Sequence, residues 1–88
     1  MRSFKGYNME TAEIQQKIND TIVKSLGVKP EELKPEGKLY DSLGVDSTEM
    51  VEVVIALSKA FDTQISAKEV TKLNSINEIV SIIRSKLS

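Results

Sequence analysis

Asp41-Ser42-Leu43-Gly44-Val45-Asp46-Ser47-Thr48-Glu49-Met50-Val51-Glu52 is the stretch from which the other segments of this 88-residue chain can be read. A loop with one glycine runs here into the first turn of a helix. Asp46 and Glu49 stand three apart, the spacing at which one side chain caps the helix and the other reaches back to the N–H of the cap. That register places the Ser47 hydroxyl in the first turn, beside backbone N–H groups that have no acceptor within the helix. A phosphate on its oxygen would stand at the positive end of the helix dipole. Ser47 therefore reads as a covalent attachment point, presented by the remainder of the chain.

Downstream of the cap, Val51, Val53, Val54 and Ile55 are β-branched and would suit a strand. The capping spacing, the length and the absence of a turn residue before Asp62 instead predict a helix over about 47–61. Met50, Val54, Leu57 and Phe61 form its stripe, and Val51, Val53 and Ile55 widen it, as expected of the buried centre of a bundle. Upstream, Ile14, Ile18, Ile22 and Leu26 recur every four residues with Val23 beside them, predicting a first helix over about 11–26. Asn8 or Thr11 is its expected cap, Glu10 and Glu13 suit its positive end, and Gly27, Val28 and Pro30 end it. The connection 27–46 carries two prolines, three glycines and no sustained helical period. Val28, Leu33, Leu39, Leu43 and Val45 anchor it, and Pro30-Glu31-Glu32-Leu33 suits a single helical turn. After Phe61, Ile65 anchors a turn and Ser66 opens an expected short helix through about Leu73, carrying Val70. Ser75 and Glu78 repeat the capping spacing before the last helix, whose stripe is Ile76, Ile79, Val80, Ile83 and Leu87. The expected fold is all-α: a small four-helix bundle of three main helices and one short one, with a long loop between the first and second. Residues 1–8 read as a flexible N-terminal extension or added segment, and 9–88 as the domain.

Composition narrows the chemistry. At this length one small domain buries roughly 60–65 % of its unfolded surface. The chain has no cysteine and no histidine, so it has no thiolate nucleophile, no disulfide frame, and neither the commonest general base nor the commonest metal ligand. Catalysis is expected to belong to other proteins. The net charge of −1 is unevenly spread. Asp41, Asp46, Glu49 and Glu52 fall between Asp41 and Ser58 with no Lys or Arg among them, an acidic face that disfavours nucleic acid and suits partners bearing Lys or Arg. No apolar run approaches the ~20 residues that span a bilayer. The expectation is a cytoplasmic monomer without a membrane span or signal peptide.

With Leu43-Gly44-Val45-Asp46-Ser47 followed by Val51-Glu52, the chain resembles the acyl carrier protein family, whose attachment signature is a Leu-Gly-x-Asp-Ser-Leu run and then a Val-Glu pair. Leu26-Gly27-Val28, Glu31-Glu32-Leu33 and Phe61-Asp62-Thr63 with Ile65 extend the likeness over everything except the leader. The resemblance implies that a phosphopantetheinyl transferase, using coenzyme A and Mg²⁺, attaches 4′-phosphopantetheine to Ser47. The thiol of that arm would carry acyl groups as thioesters to acyl-transferring and chain-elongating enzymes of fatty-acid, lipid or specialised acyl and polyketide synthesis. Asp46 would serve as cap and motif residue, and Asp41, Thr48, Glu49, Met50 and Glu52 would meet basic docking patches on partners. Val54, Ile55, Ile65, Val70 and Ile76 are candidates to line an acyl pocket. Two departures stand out. Thr48 replaces the usual leucine, and Ser58-Lys59-Ala60 replaces the acidic second half of the central helix, which together suggest a specialised carrier working beside a housekeeping one.

Other readings stay open from the residues. A peptidyl or aminoacyl carrier usually shows Gly-Gly before its serine, where this chain has Val45-Asp46. A helical interaction module would keep the fold without the arm. A carboxylate enzyme built on Asp41, Asp46 and Glu49 would turn over substrate without a partner.

Overall fold

The computed structural model of the chain describes residues 10–87, so the leader 1–8 lies outside the described part. Three long helices carry the structure: α1 (Thr11–Leu26), α3 (Ser47–Ala60) and α4 (Ile76–Leu87), with a five-residue α2 (Leu39–Leu43) in the long connection. The fold is the expected small helical bundle. Its core is assembled from the predicted stripes. Ile14, Ile18 and Ile22 of α1, Met50, Val53, Val54 and Leu57 of α3, and Ile76, Ile79, Val80 and Ile83 of α4 are all buried. Full burial of such side chains stabilises by about 1.5–3 kcal/mol each before entropy is counted. Helix α1 is the shared partner, packing on both α3 and α4.

The ends of α1 follow local chemistry, with one correction. Asn8 lies outside the described residues, and Thr11 is the first helical residue and not the cap. Glu10 holds that position, and its N–H donates to Glu13 Oε1 at 3.1 Å. Gly27 ends the helix in the left-handed conformation (φ 69°), its N–H donating to the Val23 carbonyl at 2.9 Å. Pro30–Glu32 forms the predicted single turn, of 3₁₀ type.

The short helix lies in a different place from the expected one. Ser66 does begin a turn: its N–H donates to Glu69 Oε2 and the Glu69 and Val70 N–H groups donate to its carbonyl. The ladder then stops, because side chains take the backbone donors. The Thr71 N–H donates to Asn74 Oδ1 at 2.8 Å and the Leu73 N–H to Thr71 Oγ1 at 3.2 Å, the competition that short polar side chains offer to a helix. Residues 66–73 are therefore consecutive turns. The carbonyls freed there serve α2, whose first N–H groups need acceptors. The Leu39 N–H donates to the Asn74 carbonyl at 3.0 Å and the Tyr40 N–H to the Lys72 carbonyl at 2.8 Å. Lys38 and Ser75 form an antiparallel bridge, and the Asn77 N–H donates to the Pro35 carbonyl. A wholly buried Leu39 completes the docking.

Helix α3 ends at Phe61, with Asp62 in the left-handed region (φ 50°), a conformation aspartate tolerates better than most residues. Ser58 holds the following loop: its hydroxyl donates to the Val54 carbonyl and accepts from the Ile65 N–H. The second predicted cap is present at α4, where the Glu78 N–H donates to Ser75 Oγ at 3.2 Å and the Ser75 N–H to Glu78 Oε1 at 3.0 Å. Hydrogen bonds from the Asn74 amide and that backbone N–H hold the Glu78 carboxyl below its usual range. Glu69 bridges to Lys86 of α4 at 2.8 Å, and hydrogen bonds from Lys86 and Ser66 lower its pKa as well.

Candidate functional site

The turn into α3 is built from three successive backbone decisions. Gly44 ends α2 in the left-handed conformation (φ 68°), its N–H donating to the Tyr40 carbonyl at 3.0 Å. Val45 then turns inward, only 1 % exposed, and Met50 is buried in the same cluster. These are the two positions of a hydrophobic staple, which sets the angle at which the chain enters the helix. Asp46 follows in extended conformation as the cap. Its Oδ1 accepts from the Glu49 N–H at 2.8 Å, and Glu49 Oε1 accepts from the Asp46 N–H at 3.1 Å. Both halves of the predicted capping box are formed. Loss of the cap in Asp46→Ala is expected to cost about 1 kcal/mol, measurable as a lower denaturation midpoint at unchanged slope. A midpoint equal to that of the native chain would show that the box does not hold the turn.

With the turn set this way, Ser47 is the first residue of α3, exposed, and its hydroxyl has no hydrogen-bond partner among the described residues. The N–H groups of Ser47 and Thr48 have no acceptor within the helix. The site thus offers a free hydroxyl at the positive end of a helix, a fitting base for a phosphodiester. Among the described residues, the two carboxylates nearest to that hydroxyl in sequence are engaged with backbone N–H groups as parts of the cap.

Beside Ser47 opens a cleft of about 300 Å³. Ser47, Met50 and Val51 form its α3 side, and Ala67, Thr71, Lys72 and Leu73 form the wall contributed by the turns after Ile65. Val51 and Leu73 are about half exposed, at 47 % and 56 %. Tyr40 of α2 is similarly exposed, and the Lys72 ammonium lies 5.0 Å from the centre of its ring.

The predicted site residues separate into three groups. Asp46, Ser47, Thr48, Glu49, Glu52 and Asp41 all lie exposed at or near the start of α3. Met50, expected on the docking face, is buried at 4 % and forms part of the cleft. Of the five pocket candidates, Val54, Ile65, Val70 and Ile76 are core residues, whereas Ile55 is 50 % exposed, and none of the five lines this cleft. Val51 and Ile55 do not widen a buried stripe: both face outward, so α3 is less enclosed than its composition predicted. Sequence reasoning missed Val51, Ala67, Thr71, Lys72 and Leu73 as a wall. Four of them lie in 67–73, where a helical reading hid which side chains turn toward Ser47.

Residues 16–83 match the model of the family described as "phosphopantetheine attachment site". The acyl carrier protein of Chlorobium phaeobacteroides is 36 % identical over 78 residues, covering 89 % of this chain and 100 % of the relative. That of Chlorobium phaeovibrioides is 37 % identical over the same lengths. The acyl carrier protein of Bdellovibrio bacteriovorus is 37 % identical over 73 residues, 83 % of this chain and 94 % of the relative.

Proposed function

This chain belongs to the acyl carrier protein family, whose domain bears covalent 4′-phosphopantetheine, and from that premise we propose that Ser47 is its point of attachment and that acyl groups are its cargo. The observation that carries the assignment is the free, exposed Ser47 hydroxyl at the start of α3, at the lip of a largely apolar cleft. When bound, the arm supplies a terminal thiol, and so thioester chemistry, to a chain that has no cysteine of its own. The chain's residues supply placement. Asp46 and Glu49 hold the turn, Val45 and Met50 anchor it to the core, and α3 directs its dipole at the phosphate. A serine hydroxyl without a neighbouring base is a weak nucleophile, so its activation falls to a phosphopantetheinyl transferase acting on coenzyme A. Intact mass after incubation with those two components tests the proposal. The native chain should gain one arm; a chain that stays unmodified would instead be an interaction module that kept the fold.

Partner choice follows from charge. Asp41, Asp46, Glu49 and Glu52 are exposed around Ser47, while Lys59 is the charge in the last turn of α3. Exposed charges act mainly on association rate and on which partners dock. We read this as a carrier for acyl-transferring and chain-elongating enzymes with basic patches, in a specialised pathway, working in the cytoplasm as a monomer. A generic fatty-acid synthase is then expected to turn over this loaded chain more slowly than its own carrier. Equal rates in a competition assay would sink the specialised reading and leave the carrier reading intact.

A further inference from the structure

We propose that Lys72 is the counter-charge of the arm: its ammonium pairs with the phosphodiester on Ser47 and lays the arm along the apolar cleft instead of leaving it free in solvent. The inference rests on the carrier reading of Ser47 and goes beyond it by assigning a residue that reading does not use. Among the residues lining the cleft, Lys72 has the positive charge, and Ser47 lines the same cleft. The charged residues in the stretch 41–52 are all acidic, so among the residues lining the cleft Lys72 is the cationic side chain that can add to the α3 dipole in attracting a phosphodiester on Ser47.

The geometry keeps Lys72 available. Its backbone is fixed, because its carbonyl accepts from the Tyr40 N–H at 2.8 Å. Its half-buried side chain is laid over the same residue, the ammonium 5.0 Å from the Tyr40 ring centre. No carboxylate pairs with it among the described residues. A cation resting on an exposed ring is weakly held, and a charge-assisted hydrogen bond to phosphate oxygen is stronger. Tyr40 thus holds the ammonium of a cleft-lining residue only weakly and would not compete for it once the arm is present. Beyond the phosphate, the arm would meet Val51, Leu73 and Ala67, which gives the half-exposed Val51 and Leu73 a partner.

The test compares unloaded and loaded forms of the native chain, Lys72→Met and Lys72→Arg by NMR, each loaded form first verified by intact mass. Methionine keeps an apolar stem of similar length, and arginine keeps the charge. In the native chain, loading should shift the amides of Ala67, Thr71, Lys72 and Leu73 and the Lys72 side-chain ammonium, and raising salt should reverse those shifts. In Lys72→Met the loading-dependent shifts at Ala67 and Leu73 should fall at least threefold, with the ³¹P resonance no longer salt-sensitive, and Lys72→Arg should restore both. Loaded Lys72→Met with native-like shifts would overturn the inference and leave the carrier reading standing. A native chain that gains no arm would overturn both.

Discussion

Ser47→Ala is expected to abolish loading: after incubation with coenzyme A and a phosphopantetheinyl transferase, the mass of this variant should not change, whereas the native chain gains one arm. The expected loss is complete because the hydroxyl oxygen is the atom through which the phosphate would be joined. The variant should nonetheless fold normally. Ser47 is exposed, its hydroxyl is not bonded to any described residue, and alanine is tolerated in a first helical turn, so stability should move by less than about 0.5 kcal/mol. Ser42→Ala is the matched control. Ser42 stands five residues away in α2, its hydroxyl donating to the Lys38 carbonyl at 3.0 Å, and its loss should leave loading intact. Loading of Ser47→Ala at the native rate would place the arm on another residue and remove the basis for reading the turn as an attachment site.

Ile18→Ala is expected to be the most damaging single truncation for stability. Ile18 is fully buried near the middle of α1, the helix that packs on both α3 and α4. Removing its three outer carbons forfeits their transfer energy and leaves a cavity that two neighbouring helices cannot both close, a loss of about 2–5 kcal/mol. For a domain whose total stability is on the order of 4–13 kcal/mol, that is a large share. At about 4–8 °C per kcal/mol for a chain this size, the thermal midpoint should fall by at least about 8 °C. Val51→Ala, on the open face of α3, should change stability by less than about 0.5 kcal/mol. A loss under about 1 kcal/mol at Ile18 would mean that α1 is not the shared element of the core. Loading at low temperature should survive in Ile18→Ala, since Ser47 depends on the local cap as well as on the core.

The parts of the site legible in the residues are those determined within one or two turns. The Asp46–Glu49 box, the Ser75–Glu78 box, the glycine stop at Gly27 and the inward stripes of α1 and α4 are all of this kind. Each rests on contacts between residues three or four apart, so spacing alone carries them. Where the prediction departed from the fold, partners distant in sequence decided the outcome. Residues 66–73 have the capped start of a helix, but the Asn74 and Thr71 side chains take its later N–H groups and α2 takes its carbonyls. Residues 39–43 are too short for a helical period to be visible, and they are helical because Leu39 is buried and the N–H groups of Leu39 and Tyr40 find acceptors at Asn74 and Lys72.

The cleft follows the same division. Val51 and Ile55 share the β-branched apolar character of Val53 and Val54, and only packing separates the exposed pair from the buried one. Of the acyl-pocket candidates, Val54, Ile65, Val70 and Ile76 are buried in the core and Ile55 is half exposed, a division that hydrophobicity alone does not show. By itself, the amino-acid sequence determined where the main helices begin, which stripes they bury, and that Ser47 stands in the first turn of α3, since these depend on local hydrogen bonds and a 3.6-residue period. Tertiary structure alone decided that the turns 67–73 stand opposite Ser47 and that Lys72 rests on Tyr40, because backbone donors and acceptors more than thirty residues apart had to find one another first.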